Sequence, residues 1–275
     1  MSSKKESSPL FISSTTNQKV KDSIKLRDKQ ERDKTNLFGV EGEKEILRAV
    51  NSGFVLVDVF FCRKALSGLS QEILTKIVER KETNVYEVSN DVFRKLVLRE
   101  SSGGLWAVFS RRILTFKTVK LSDNPFILVL DNIEKPGNLG AILRSADGAG
   151  VEAVFLTGSS CDIYNPNVIR ASLGTVFSLP IVVTDEKEMI EFCKNSKIKI
   201  AGAALDKRAA IYTSQDFHGS TAVVLGSEAK GLGKALLDSC DVLVKIPMKG
   251  SADSLNVGAA ATIFVYEVLR QRTTT

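Results

Sequence analysis

The sequence predicts an α/β protein in two parts, a small α/β layer domain followed by a larger domain built on a parallel sheet. Three observations carry this. Short β-branched and aromatic runs alternate with amphipathic stretches from residue 37 onward. The run Phe126-Ile-Leu-Val-Leu-Asp131 is apolar on both faces, as a parallel strand buried between helix layers must be. Between the two series, residues 114–124 carry only a weak pattern that ends in the turn chemistry of Asp123-Asn-Pro125. The division read from these features is a flexible tail over 1–16, a first domain over 17–113, a linker over 114–124 and a second domain over 125–275.

Residues 1–14 are polar and serine-rich and lack the apolar run of a secretion signal, so they read as a disordered tail. A highly charged helix is predicted over 17–33, with Val20, Ile24 and Leu26 as a thin apolar stripe that needs a partner surface, or RNA, to order it. Strands over 37–40, 55–61, 85–88 and 106–109 then alternate with helices over 43–50, 70–80 and 90–98. The glycine loop Ser101-Ser-Gly-Gly104 lies between Arg94, Lys95 and Arg99 on one side and Arg111-Arg112 on the other. That arrangement suits RNA contact, and solvated charge beside an ordinary connection explains it nearly as well.

In the second domain, Pro136-Gly-Asn138 leads from the strand over 126–131 into a helix that holds Arg144. Strands over 153–156, 181–183, 198–203, 222–226 and 242–246 follow, with helices over 186–193 and 233–237 between them. The strand over 242–246 stops at Pro247, which has no amide hydrogen for a ladder. A bare loop follows, and Ser254 is expected to cap a last helix through Ala259, Ala260, Ala261 and Phe264. A strand, a loop and a helix start in succession make a usual ligand position in open α/β sheets.

Composition excludes several classes. No stretch is long and apolar enough to span a membrane. Four scattered cysteines, Cys62, Cys161, Cys193 and Cys240, have no metal spacing and suit a reducing cytosol, and the lone His218 builds no metal site. No paired histidine and cysteine supports nucleophilic hydrolysis, there is no Walker lysine, and Gly231-Leu-Gly233 lacks the third glycine of a dinucleotide fingerprint. Up to Leu121 there are 23 Lys+Arg against 15 Asp+Glu, a net of +8, and the remainder has 15 against 17, a net of −2. The basic excess therefore lies where a phosphate backbone would be met, although a solvated helical surface produces the same count.

Three segments carry chemistry. They are Asn138-Leu-Gly-Ala-Ile-Leu-Arg144-Ser-Ala, Leu225-Gly-Ser-Glu228-Ala-Lys-Gly-Leu232, and Ile246-Pro-Met followed by Ser254-Leu-Asn256-Val. In order and spacing they resemble the three motifs of the SpoU-type RNA ribose 2'-O-methyltransferases of the SPOUT superfamily. The resemblance covers roughly the last half of the chain. In position and size the first domain is similar to the ribosomal-protein-like substrate-binding domain that precedes many such catalytic domains. Residue patterns alone give a Rossmann-like sheet. The deep trefoil knot of the SPOUT fold is implied only by the resemblance.

The resemblance further implies S-adenosylmethionine as cofactor, with Leu205, Leu225, Gly226, Ile246, Met248 and Leu255 forming its pocket, and no metal. It implies Asn138 and Arg144 as a catalytic pair, with Glu228 positioning a helix terminus or Arg144. Ser254 and Asn256 would orient the target ribose or the cofactor carboxylate. Arginine in this family is sometimes assigned as the base. A pKa above about 12 makes a neutral guanidine scarce, which favours phosphate binding and alkoxide stabilisation instead. The expected protein is a cytoplasmic homodimer acting on structured RNA, ribosomal ahead of transfer RNA. A non-catalytic RNA-binding protein on the same fold is the alternative, and a nucleotide-dependent oxidoreductase a more distant one.

Overall fold

The structure, a computed structural model, describes residues 9–78, 83–98 and 102–273. The start of the expected tail, the end of the helix expected over 70–80, and Arg99 and Ser101 of the glycine loop lie outside these residues. The chain divides into two compact units, Met1–Arg112 and Ile113–Thr275.

In the first unit the elements are β1 (Leu10–Ile12), α1 (Gln18–Lys25), α2 (Lys29–Thr35), β2 (Leu37–Glu41), α3 (Glu43–Asn51), β3 (Leu56–Phe61), a 3-10 turn at Arg63–Ala65, α4 (Gly68–Val78), β4 (Asn84–Val88), α5 (Asn90–Leu96) and β5 (Leu105–Ser110). The sheet runs β1-β4-β3-β5-β2, with β1, β4 and β3 parallel and β5 antiparallel to both its neighbours. Two sequence expectations change here. Leu10–Ile12 is not tail but an edge strand, and Ile12 is buried in the core. The helix expected over 17–33 is two helices, because Asp28 accepts from the Gln30 amide at 2.7 Å and caps a new one. Arg32, only 1 % exposed, closes the break: its Nη1 donates to the carbonyls of Leu26 at 2.9 Å and Arg27 at 2.8 Å. The thin apolar stripe finds its partner within the unit, since Val20 and Leu26 are buried with Val92, Phe93 and Leu96 of α5.

The second unit contains β6 (Phe126–Asp131), α6 (Pro136–Gly148), β7 (Ala153–Thr157), α7 (Pro166–Ala171), α8 (Thr175–Ser178), β8 (Ile181–Val183), α9 (Glu186–Asn195), β9 (Lys199–Ala203), β10 (Ala210–Ile211), a 3-10 turn at Tyr212–Ser214, β11 (Thr221–Leu225), α10 (Lys234–Ser239), β12 (Val242–Lys245) and α11 (Val257–Thr273). All strands are parallel, in the order β10-β12-β9-β11-β6-β7-β8. Alternate residues face opposite ways along each strand. Ile127, Val129, Phe155 and Val224 pack with Met189 and Cys193 of α9 and Leu236 of α10. Leu128, Leu130, Leu156 and Val223 point to the other face and are equally buried. α11 contacts β11 and packs along α6. The stretch expected as a linker is packed too, with Leu114, Phe116, Val119 and Leu121 against the α9 and α10 side of the core.

Small residues bring α6 close to its neighbours. A Cβ on Gly140 would lie 2.4 Å from that of Ala171, so no larger residue fits between α6 and the end of α7. Ser145 bonds Thr262 at 2.7 Å across the α6–α11 seam. Two cysteines of this unit are inert structural groups: burial pushes the Cys193 thiol up to about 12 and the Cys240 thiol up to about 11. No described helix is long and apolar enough to cross a membrane.

The end of α11 is tied down by Arg272, which donates to the carbonyls of Phe217 at 3.1 Å, Asn124 at 3.0 Å and Gly219 at 2.7 Å. Arg272→Met keeps most of the apolar stem and removes these bonds. It should lower the stability of the second unit by about 2 kcal/mol, seen as a lower urea midpoint. An unmoved midpoint would show that this anchor contributes nothing to holding α11.

Candidate active site

Parallel strands deliver their C-terminal ends to one edge of the sheet, and four loops leave from there. They follow β6 (132–135), β9 (204–209), β11 (226–233) and β12 (246–256). Two hollows open among them.

The first, of about 400 Å³, is lined by all six residues expected to bind cofactor: Leu205, Leu225, Gly226, Ile246, Met248 and Leu255. Ser254 and Glu228 also reach it. Its volume lies within the usual range for small-molecule sites. Its walls are mostly apolar, and Leu205 and Leu255 are 69 % and 38 % exposed at its edge. Large apolar side chains held open to solvent beside a concave surface suit a ligand they can cover. Asp206, also in the lining, is held down to about 2 by the hydrogen-bonded guanidinium of Arg208 and stays ionised.

Gly226 shapes this pocket indirectly. A Cβ there would lie 2.2 Å from the Gly231 carbonyl oxygen, so the residue permits a close approach of backbone to backbone. The loop folds back on itself, with the Gly231 amide donating to the Ser227 carbonyl at 2.9 Å. That turn projects Glu228 toward α6 and the start of α11.

Three of the five expected catalytic residues meet at Glu228. Its Oε1 accepts from Asn138 Nδ2 at 3.0 Å and from Asn256 Nδ2 at 2.6 Å. Asn256 Nδ2 also lies 3.3 Å from Asn138 Oδ1, and its own Oδ1 accepts from the Gly258 amide at 2.9 Å. Asn256 therefore caps α11. This corrects the expectation for Ser254, which is two residues too early and makes no cap bond. Ser254 stays at the pocket rim. Lys135, which the sequence reading did not single out, donates to Glu228 Oε2 at 2.7 Å. That ammonium, with help from Asn138, holds the Glu228 carboxyl below the usual carboxylate range, and Glu228 raises Lys135 in turn.

Arg144 stands apart. Six residues beyond Asn138 on α6, it points about 240° round the helix and is exposed, with no hydrogen bond or ion pair among the described residues. It flanks the α6–α11 seam, where Gly148 lies beside the Tyr266 hydroxyl.

The second hollow, of about 430 Å³, lies across the 227–231 turn, lined by Asp131, Lys135, Asn138, Glu186 and Glu228 among others. Burial raises the Glu186 carboxyl, and the neighbouring Asp131 and Asp185 add to it. Among the described residues no group of three His, Cys, Asp or Glu is arranged to hold a metal ion.

Comparison with known proteins converges on one family. Residues 125–266 match the SpoU rRNA Methylase family, and residues 17–107 match the MRM3-like substrate binding domain. The 23S rRNA (guanosine(2553)-2'-O)-methyltransferase RlmP of Bacillus subtilis is 34 % identical over 263 residues, covering 94 % of this chain and 98 % of that protein. A crystal structure of an RNA 2'-O ribose methyltransferase superposes with a TM-score of 0.82 at 36 % identity, covering 96 % of this chain and all of that one. An AdoMet-bound rRNA methyltransferase from Sinorhizobium meliloti gives 0.86 at 28 % identity, covering 94 % of this chain and 97 % of its own.

Leu255→Arg should abolish S-adenosylhomocysteine binding in calorimetry while circular dichroism stays that of the native chain. Gly226→Ala should also weaken it, by forcing the Gly231–Leu232 backbone away from the pocket wall. Unchanged affinity in Leu255→Arg would remove this mouth from the binding site.

Proposed function

The chain belongs to the SpoU rRNA methylase family, and from that premise we propose that it methylates a ribose 2'-hydroxyl in 23S ribosomal RNA, with S-adenosylmethionine as donor. The observation that carries this reading is the junction of Asn138, Glu228 and Asn256 at the edge of a pocket lined by the residues its motifs assign to the cofactor. Ribosomal RNA is favoured as substrate because the relative matched over nearly the whole chain is named for a guanosine of 23S rRNA.

The fit to the cofactor rests on the pocket. Apolar side chains suit an adenine face, and main-chain groups at the ends of β9, β11 and β12 suit its polar edge. The bound cofactor supplies a methyl group on a sulfonium centre, which needs little electrophilic help. The chain's task is then to hold the acceptor oxygen in line and manage one proton. Asn138, with one Nδ2 hydrogen fixed on Glu228, keeps the other and a lone pair of Oδ1 for the ribose. Asn256, bonded to Glu228 and Asn138 through Nδ2 and to the Gly258 amide through Oδ1, holds it in place. Ser254 at the rim adds a hydroxyl. Arg144 binds the adjacent phosphate and stabilises the developing alkoxide, with the proton leaving late.

Arg144 lies outside the Glu228 cluster of its own chain and beside the exposed α6–α11 surface. This supports a homodimer in which that surface meets its copy, so that Arg144 serves a site completed by two chains. The trefoil knot belongs to the same reading: β12 inserts beside β9, and the chain then returns to pack α11 on α6. We assign residues 17–113 to RNA reading and 125–275 to catalysis. Supporting this, Met1–Arg112 carries 21 Lys+Arg against 15 Asp+Glu, whereas Ile113–Thr275 carries 17 of each. A cytoplasmic location follows from the substrate.

Labelled methyl transfer to purified rRNA and tRNA, with the product nucleotide mapped, tests the reading. Incorporation into a ribose of 23S rRNA is expected, and none into either RNA would contradict it. Arg144→Ala should bind S-adenosylhomocysteine normally but transfer at least about 100-fold more slowly, as for loss of one electrostatic donor. Arg144→Lys, which keeps charge without the bidentate fork, should recover part of the rate. Native turnover in Arg144→Ala would remove this residue from the mechanism.

A further inference from the structure

We propose that Lys135 is a positioning residue of the methyl transfer, its ammonium fixing the Glu228 carboxylate and, through it, the amides of Asn138 and Asn256. The inference rests on the role given above to the Glu228 cluster.

Lys135 occupies the N-cap of the 13-residue helix α6 and makes no side-chain cap bond. N-caps favour short side chains that accept from the first amides, and the positive end of a helix disfavours an ammonium. A lysine there breaks both local rules. The ion pair gives folding little in return: the Lys135 side chain is 74 % exposed and Glu228 29 %, and exposed pairs contribute little to stability. Local rules broken without a stability gain concentrate at functional sites.

What the contact does is geometric. A carboxylate has two oxygens, and Lys135 takes Oε2 at 2.7 Å while both asparagine amides share Oε1. Each oxygen therefore has its own donors, and the carboxylate plane is fixed.

The other charged groups around Glu228 pull otherwise. Asp131 at the end of β6, Glu134 before α6 and Glu186 at the start of α9 line the same hollow and repel it. Lys230 on its own loop, Lys245 at the end of β12 and Asp206 in the loop after β9 line the first pocket with it. Among the described residues, Lys135 is the cation within ion-pair distance of Glu228. Without it the carboxylate is free to swing toward Lys230 and release the amides.

The effect on pH follows in sign. Lys135 is the largest cause that depresses the Glu228 carboxyl, so the ionised form survives to lower pH with Lys135 present. Removing the ammonium raises that pKa, and ionisation is then lost earlier as pH falls.

The test compares Lys135→Met and Lys135→Arg with the native chain in methyl transfer to 23S rRNA along the acid limb of the kcat profile. In parallel, the Glu228 carboxyl is titrated by carbon NMR, its signal assigned from Glu228→Gln. Lys135→Met should lose on the order of 10- to 100-fold in kcat, the size of a small misplacement in the site. Its acid limb and Glu228 titration should both move to higher pH, with S-adenosylhomocysteine affinity unchanged. Lys135→Arg should return both midpoints toward the native values. A native rate with an unmoved limb in Lys135→Met overturns the proposal. So does a lowered rate with an unmoved Glu228 titration, which would put Lys135 on the RNA itself. If the native chain transfers no methyl group, the functional reading fails instead, and the NMR titration still reports whether Lys135 sets the state of Glu228.

Discussion

The site depends on one ionised carboxylate at the point where three separate stretches of chain converge. Glu228 receives donors from the loop before α6, from α6 itself and from the cap of α11, none of which is near it in sequence. The parallel sheet makes this convergence possible, because β6, β11 and β12 all end on the same edge. The close backbone approach at Gly226 then turns the loop after β11 so that residue 228 faces the other two. Asn256 does two tasks with one amide, capping α11 through Oδ1 and binding Glu228 through Nδ2. The start of α11 and the carboxylate are thereby fixed to each other.

Stability and chemistry are drawn from different parts of this unit. The core clusters on either face of the sheet are apolar and closed, and their thiols are held protonated by burial. The Glu228 cluster lies at the rim, half open to water, where ion pairs add little to folding. Its hydrogen bonds order Asn138 and Asn256 around one carboxylate, which is the kind of preorganisation that electrostatic catalysis needs. Arg144, to which the proposed mechanism gives the remaining charge, stands on a different face of α6.

Much of this was legible in the sequence, for physical reasons that differ by residue. Buried parallel strands such as Phe126–Asp131 announce themselves by runs apolar on both faces. Five of the six expected residues that line the pocket lie in the motif segments at strand ends, with Leu205 in the loop after β9. The break between α1 and α2 did not show, because an aspartate within a charged run looks the same as a solvated face until its side chain caps. β1 was missed because Leu10–Ile12 is three residues inside a polar stretch, and it becomes a strand only by pairing with β4. Ser254 and Asn256 are equally good cap residues by type, and what distinguishes Asn256 is visible only in three dimensions, where its Nδ2 also binds the Glu228 carboxylate. Lys135 carried a signal that passed unread: an ammonium directly before the proline that opens a helix, where the local electrostatics oppose it.

The most direct measurement of the central claim is the methyl-transfer rate of Glu228→Gln set beside its S-adenosylhomocysteine affinity. Glutamine keeps the size and one carbonyl oxygen, but loses the charge that holds Lys135 and replaces one acceptor with an amide donor. The rate should fall by about 100-fold or more, the magnitude of a lost preorganised electrostatic group, with cofactor affinity close to native. A native rate in Glu228→Gln would contradict the account, because the carboxylate on which the three segments converge would then be only a surface contact.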